Sequence, residues 1–224
     1  MSELTRSILA CLEAVAAERA RRAADAALAA RVRQVKAYQH ARFQQTYADL
    51  LAQPAMRDAA RFFLDELYGP KDFTERDAQF ARVVPTLVRL FSTEIAQTIE
   101  ALGRLHALSE RLDTEMAQKL KFLPLDAAGY AQAWRDVGQV PAREQQIGLM
   151  LQVGTALHRL VQQPLLRASL KLMRGPAAKA GLGQLQTFLE TGFAAFKGLP
   201  DAQAFLRTIA ERERAIASQL FESI

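Results

Sequence analysis

Residues 93–121, TEIAQTIEALGRLHALSERLDTEMAQKLK, decide the fold. Ile95, Ile99, Leu102, Leu105, Leu108, Leu112, Met116 and Leu120 recur at intervals of three and four, the spacing that gathers side chains on one face of an α-helix. Ser92 or Thr93 precedes the stripe as an N-cap, because its hydroxyl accepts from a backbone N–H that the first turn leaves unpaired. One long helix from there to about Lys121 is the prediction.

The same spacing extends in both directions. Downstream, Pro124 and Asp126 open a short helix with Tyr130, Trp134 and Val137 that stops at Gly138. Pro141 begins another running to about Met173, with Pro164 inside it as a kink. The connection from Arg174-Gly175-Pro176 to Gly183 reads as loop. A helix with Phe188, Phe193 and Phe196 follows, and after Gly198 and Pro200 a last one with Phe205, Ile209 and Leu220. Upstream, Pro54 fits the first turn of a helix through Phe62 and Phe63 that ends at Tyr68-Gly69-Pro70. Asp72 and Glu75 form a capping box for a helix that reaches Phe91 and is kinked at Pro85.

The first stretch, Glu3 to Gln53, carries two apolar stripes joined by an Ala-rich segment without Gly or Pro. As one straight helix it would be about 75 Å long, against a radius of gyration of about 17 Å for a compact chain of this length. Protrusion, with packing on a second copy of the chain, is the expectation. The predicted architecture is all-α: a single domain over 1–224 of about eight helices, with residues 1–53 as a long N-terminal arm, residues 54–224 as the core, and Pro-kinked helices.

Half the 224 residues are hydrophobic and 24% are charged, a globular rather than a disordered balance. One cysteine, Cys11, excludes an intramolecular disulfide and suits a reducing compartment. Glu3, Arg6 and Glu13 interrupt the N-terminal apolar residues, which argues against a secretory signal, and no run is long enough to span a membrane. A cytoplasmic protein without membrane association is therefore expected. The net charge of +5 divides between residues 1–53 and 125–175, too dispersed to name a partner. Locally, Arg19 to Arg42 contains seven basic residues against Asp25 alone. At 100° per residue Arg19, Arg22, Arg33 and Lys36 share a face, which reads either as a solvated surface or as a site for an anionic partner such as nucleic acid.

Of the histidines, His40 falls on that basic face, while His106 and His158 flank apolar stripes. None has a partner at metal-ligand spacing. His106 and His158 fit structural, hydrogen-bonded histidines, and alternatively the walls of a site for haem or another small apolar ligand; no other cofactor and no metal is predicted. Asp65, Glu66, Asp72, Glu75 and Asp77 cluster around Arg76, and caps and a solvated face account for most of them without a cation site. Nucleophile elbows and phosphate-binding glycine loops are absent. No catalytic residue is assigned, although acid–base pairs assembled from distant helices leave no mark in a sequence.

FFLDELYGP at residues 62–70, Asp72-Phe73, Arg76-Asp77, QFARVVP at 79–85 and LHALSERLD at 105–113 resemble a family of uncharacterised bacterial helical proteins. The resemblance implies no activity and transfers no catalytic residue. Physically these strings describe a corner: Phe62 and Phe63 bury one helix, Tyr68, Gly69 and Pro70 turn the chain, Asp72 and Phe73 start the next helix, and Arg76 or Arg82 pairs with Asp65 or Asp77 across it. The functional expectation is a regulatory or protein-interaction module, homodimeric through its arm. The alternatives are a haem or apolar-ligand binder and an electrostatic nucleic-acid binder.

Overall fold

In the computed structural model, which describes residues 1–67, 69 and 71–222, the 93–121 stretch forms a helix that at least five of the others pack against. The chain is all-helical, with twelve α-helices among the described residues where about eight were expected. In order they are α1 (Glu3–Ala23), α2 (Ala26–Thr46), α3 (Ala48–Ala52), α4 (Pro54–Phe62), α5 (Thr74–Leu90), α6 (Thr93–Lys119), α7 (Ala127–Val137), α8 (Val140–Leu160), α9 (Pro164–Leu172), α10 (Arg174–Lys179), α11 (Gly183–Lys197) and α12 (Ala202–Glu222). A π-helical turn at Phe63–Leu67 extends α4, and a 3₁₀ turn at Leu120–Phe122 ends α6.

Several starts and stops follow from local chemistry. Ser92 Oγ accepts from the Ile95 N–H, and Asp126 Oδ1 accepts from the Gly129 N–H at 2.8 Å. Gly138 ends α7 at φ +64°, a conformation open to glycine at little cost. Pro54 and Pro164 each occupy the first turn of a helix, where a missing N–H breaks no bond. For that reason the expected kink at Pro164 is instead a boundary: α8 stops at Leu160 and α9 begins afresh. Pro85 lies within α5, which runs on through it. The expected loop after Arg174 contains the short α10.

The largest departure concerns the arm. Residues 1–53 form three helices, because Asp25 Oδ1 accepts from the Ala27 and Leu28 N–H groups, both at 3.0 Å, and starts a new helix after a turn at Ala24. Aspartate offers the backbone this alternative to a continuous helix without any Gly or Pro. Both α1 and α2 lie against α6, so these residues belong to the body of the protein.

Three apolar clusters follow. Phe43, Tyr47, Phe62, Phe63, Phe196 and Phe205 anchor the largest; Val32, Val35, Met116, Tyr130 and Trp134 form a second; Ile8, Leu12 and Val84 form a third. Phe63, Phe196 and Phe205 are completely buried, and each such ring contributes roughly 1.5–3 kcal/mol of burial free energy. No helix among the described residues is long and apolar enough to cross a membrane.

Packing is close where α11 meets α4. A methyl group on Gly192 would lie 2.8 and 2.9 Å from Phe62 Cζ and Cε2, and Phe62 is itself held against Phe188 and Phe196. Gly192→Ala therefore sets overpacking of about 1–3 kcal/mol against about 1 kcal/mol of gained helix propensity. A net loss of roughly 1 kcal/mol is expected in urea unfolding, partly recovered when Phe62→Leu is added; a variant as stable as the parent would contradict this packing.

Candidate functional site

Three of the four residues placed on a basic face turn inward. Arg22 is 7% exposed and donates from Nε to Thr114 Oγ1 at 2.8 Å, and from its terminal nitrogens to the carboxylate and the backbone carbonyl of Glu110. Lys36 Nζ lies 2.7 Å from Glu110 and 3.7 Å from Asp113. Arg19 Nη2 lies 2.8 Å from Asp77 and 3.7 Å from Glu110. Only Arg33 of the four is exposed. The turn at Ala24 and Asp25 is the cause, since it ends the helical register on which the common face was reckoned and carries α1 and α2 separately onto α6.

His106 sits in the same network. Its Nε2 donates to Asp77 Oδ2 at 2.8 Å, and Arg19 Nη2, which binds the same carboxylate oxygen, lies 3.3 Å from that nitrogen. Burial raises the Asp77 carboxyl, but the hydrogen bond and charge of His106, with Arg76 and Arg19, outweigh it and hold it at about 2. Glu110 is likewise raised by burial and brought down to about 2 by Lys36, Arg22 and His106. Asp113 goes the other way: burial, assisted by Glu110, pushes it up despite Lys36. Burial also raises the Cys11 thiol, which suits a packing residue better than a nucleophile.

The aromatic corner supplies the rest of the polar cluster. Phe62, Phe63 and Phe73 are buried. Gly69 closes on the Asp65 carbonyl so tightly that a Cβ would strike it. Tyr68 and Pro70 lie outside the described residues. Asp72 Oδ1 accepts from the Thr74 N–H at 2.9 Å, whereas Glu75 accepts from Gln79 and Gln184, so the expected capping box is only half formed. Arg76 pairs with its neighbour Asp77 and lies between the Phe73 and Phe188 rings, at 3.9 and 4.6 Å from their centroids. Asp65 faces His40 at 3.3 Å.

Beside this cluster lies a chamber of about 190 Å³ between α5, α6, α8, α9 and α11. Leucine, isoleucine and phenylalanine make most of its wall, among them Phe80, Ile99, Leu102, Leu157, Leu166 and Phe193. Its charged lining consists of Glu66, Arg76, Asp77 and His106, which stand together: Arg76 Nη1 donates to the Glu66 carbonyl, and Asp77 links Arg76 to His106. His158 does not line the chamber although Leu157 does, and its buried Nδ1 has no partner among the described residues. No group of three or more His, Cys, Asp and Glu side chains suited to a metal ion occurs among the described residues.

Glu110, Asp113 and Arg143 are the polar residues the sequence reading passed over. For the two carboxylates the signal is periodic: His106, Glu110 and Asp113 stand at i, i+4 and i+7 on the very helix that organises the fold, so a helix packed on several sides had to bury them, whereas Arg143 stands on α8.

A titration and two substitutions test the network. Because Asp77 and Glu110 are held below their ordinary values of 3.8 and 4.5, their stabilisation is complete above about pH 4.5 and drains as pH falls towards 2. Glu110→Gln leaves three cations short of a partner and should cost about 3 kcal/mol at pH 7, flattening the acid limb of a stability–pH curve. Asp113, whose carboxyl is raised by burial, costs stability when ionised, so Asp113→Asn should be neutral or stabilising at pH 7 and lose that advantage below about pH 4. Chemical denaturation across pH reads all three.

No curated protein and no solved structure matches the chain. A family model does match, over residues 18–223, which takes in the inward network, the corner, α6 and all of the chamber lining but Leu12. The chain belongs to the family described as a domain of unknown function, DUF8198.

Proposed function

We propose that the protein is a helical binding protein for a small, mainly apolar ligand carrying one polar end. The chamber beside α6 carries this reading: about 190 Å³ of space walled by aliphatic and aromatic side chains, with its charged groups gathered at Glu66, Arg76, Asp77 and His106. Apolar sites with a few convergent polar groups and displaced carboxyl ionisation are the usual form of a ligand pocket. In size the chamber slightly exceeds an engineered apolar cavity of about 150 Å³ that takes up benzene. The ligand is therefore read as a single-ring aromatic or a medium-chain acyl group rather than haem. His106 keeps Nε2 on Asp77, which leaves Nδ1 as its only ring nitrogen for coordination.

A second observation favours a protein-interaction role. Helix α9 has no buried residue, and Leu165 and Leu172 are 83% and 78% exposed on it, while Leu166 and Leu170 of the same helix line the chamber. A partner or second copy covering the outer side of α9 would lie directly over the ligand. Sedimentation at micromolar concentration, with Leu165→Glu and Leu172→Glu combined as the control, tests this; a monomer indifferent to the substitutions removes it.

Ligand uptake is read by thermal stability against a panel of single-ring aromatics and medium-chain fatty acids, with haemin added in a separate arm and followed by its Soret band. One chemical class should raise the midpoint in a saturable way. Leu157→Phe, which fills the chamber with a bulkier apolar group, should abolish that rise with less than about 1.5 kcal/mol of stability lost. If no member of the panel shifts the parent protein, or if Leu157→Phe binds as well as the parent, the reading fails.

A further inference from the structure

Helices α2, α6, α7, α8 and α12 enclose a second cavity of about 70 Å³ that shares only His106 and Ser109 with the apolar chamber. Arg143, in the first turn of α8 and 4% exposed, sets its character. A guanidinium at such depth ordinarily ends on a carboxylate, since an unpaired buried charge is costly. Arg143 does not. Its Nη1 donates to the amide oxygen of Gln146 at 3.2 Å, and its flat face lies 3.7 Å from the centre of the Trp134 ring. Nε and Nη2 have no acceptor among the described residues, and neither does Trp134 Nε1.

Those two free donors of Arg143 are neighbours along one edge of the guanidinium. That edge is the fork that receives two oxygens of one carboxylate or phosphate side by side. The carboxylates lining the cavity are engaged elsewhere. Glu110 holds Arg22 and Lys36, and Glu213 holds both terminal nitrogens of Arg42 and the Tyr47 hydroxyl. Asp113, the third, has Lys36 at 3.7 Å and makes no ion pair with Arg143 among the described residues. The space is several times the roughly 10–15 Å³ that a single water needs, enough for a group of a few heavy atoms.

We propose that Arg143 and the indole N–H of Trp134 form a buried site for one small oxyanion with at least two oxygens, a short carboxylate or inorganic phosphate. The site is independent of the ligand proposed for the apolar chamber, and either can fail without the other.

Trp134 is the only tryptophan in the chain, so tryptophan emission reports this cavity alone. The full-length protein is titrated with formate, acetate and phosphate at constant ionic strength set by chloride, with calorimetry run in parallel. A saturable response to at least one oxyanion and none to chloride is expected, and the arm that responds distinguishes carboxylate from phosphate. Arg143→Lys keeps the charge but loses the fork, so it should bind at least tenfold more weakly while circular dichroism shows the helices intact. Silence in both readouts up to tens of millimolar would overturn the proposal, as would equal responses to chloride or undiminished binding by Arg143→Lys. Should that variant not fold, the contrast between oxyanions and chloride in the parent protein decides the matter alone.

Discussion

The carboxylate of Glu110 is the constraint on which the arrangement of the N-terminal half depends. It lies 3% exposed in the middle of α6 and is met by Arg22 from α1 and Lys36 from α2, with Arg19 farther off. Burying one carboxylate and its partners costs several kcal/mol per ion before their attraction offsets it, so the network is poor evidence for high stability and good evidence for a single arrangement. An apolar contact would tolerate α1 sliding along α6 by a turn. The Arg22 bonds to the carboxylate, to the backbone carbonyl of the same residue and to Thr114 do not, because all three must be made in one register.

That network also explains what the sequence could and could not reveal. Helix boundaries set by local chemistry were legible: Ser92, Asp126, Pro54 and Gly138 act within three or four residues of where they stand. The stripe from Ile95 to Leu120 was legible too, since a period is a local property. The fate of the basic residues was not. Arg19, Arg22 and Lys36 find their carboxylates 58 to 91 residues later in the chain, and a count of charge over a window of 24 residues contains no information about partners at that distance. Asp25, read only as the lone acid among seven bases, is the residue that starts a new helix and so delivers those bases to the interior.

The candidate site was half visible for a related reason. His106 flanks an apolar stripe in the sequence, and the chamber wall includes that stripe seen from inside. Arg76 and Asp77 of the corner pair with each other, Arg76 also reaches across the turn to the Glu66 carbonyl, and Arg82 donates instead to the Gly181 carbonyl. His158 has surroundings in sequence like those of His106, yet it stands on α8 outside the chamber, because a residue one position from a lining residue points about 100° away from it on a helix.

His106 is where the separate parts meet. Its ring lines both cavities, its Nε2 engages Asp77, and Asp77 in turn holds Arg19 near the C-terminal end of α1 and Arg76 between two aromatic rings of the corner. A group entering the apolar chamber at its charged side therefore touches a residue whose hydrogen bond is part of what fastens α1 to α6. That proximity needs no long chain of contacts. It follows from placing one imidazole in a wall shared by two cavities, and from drawing its acceptor from the same ion-pair network that sets the register of the N-terminal helices.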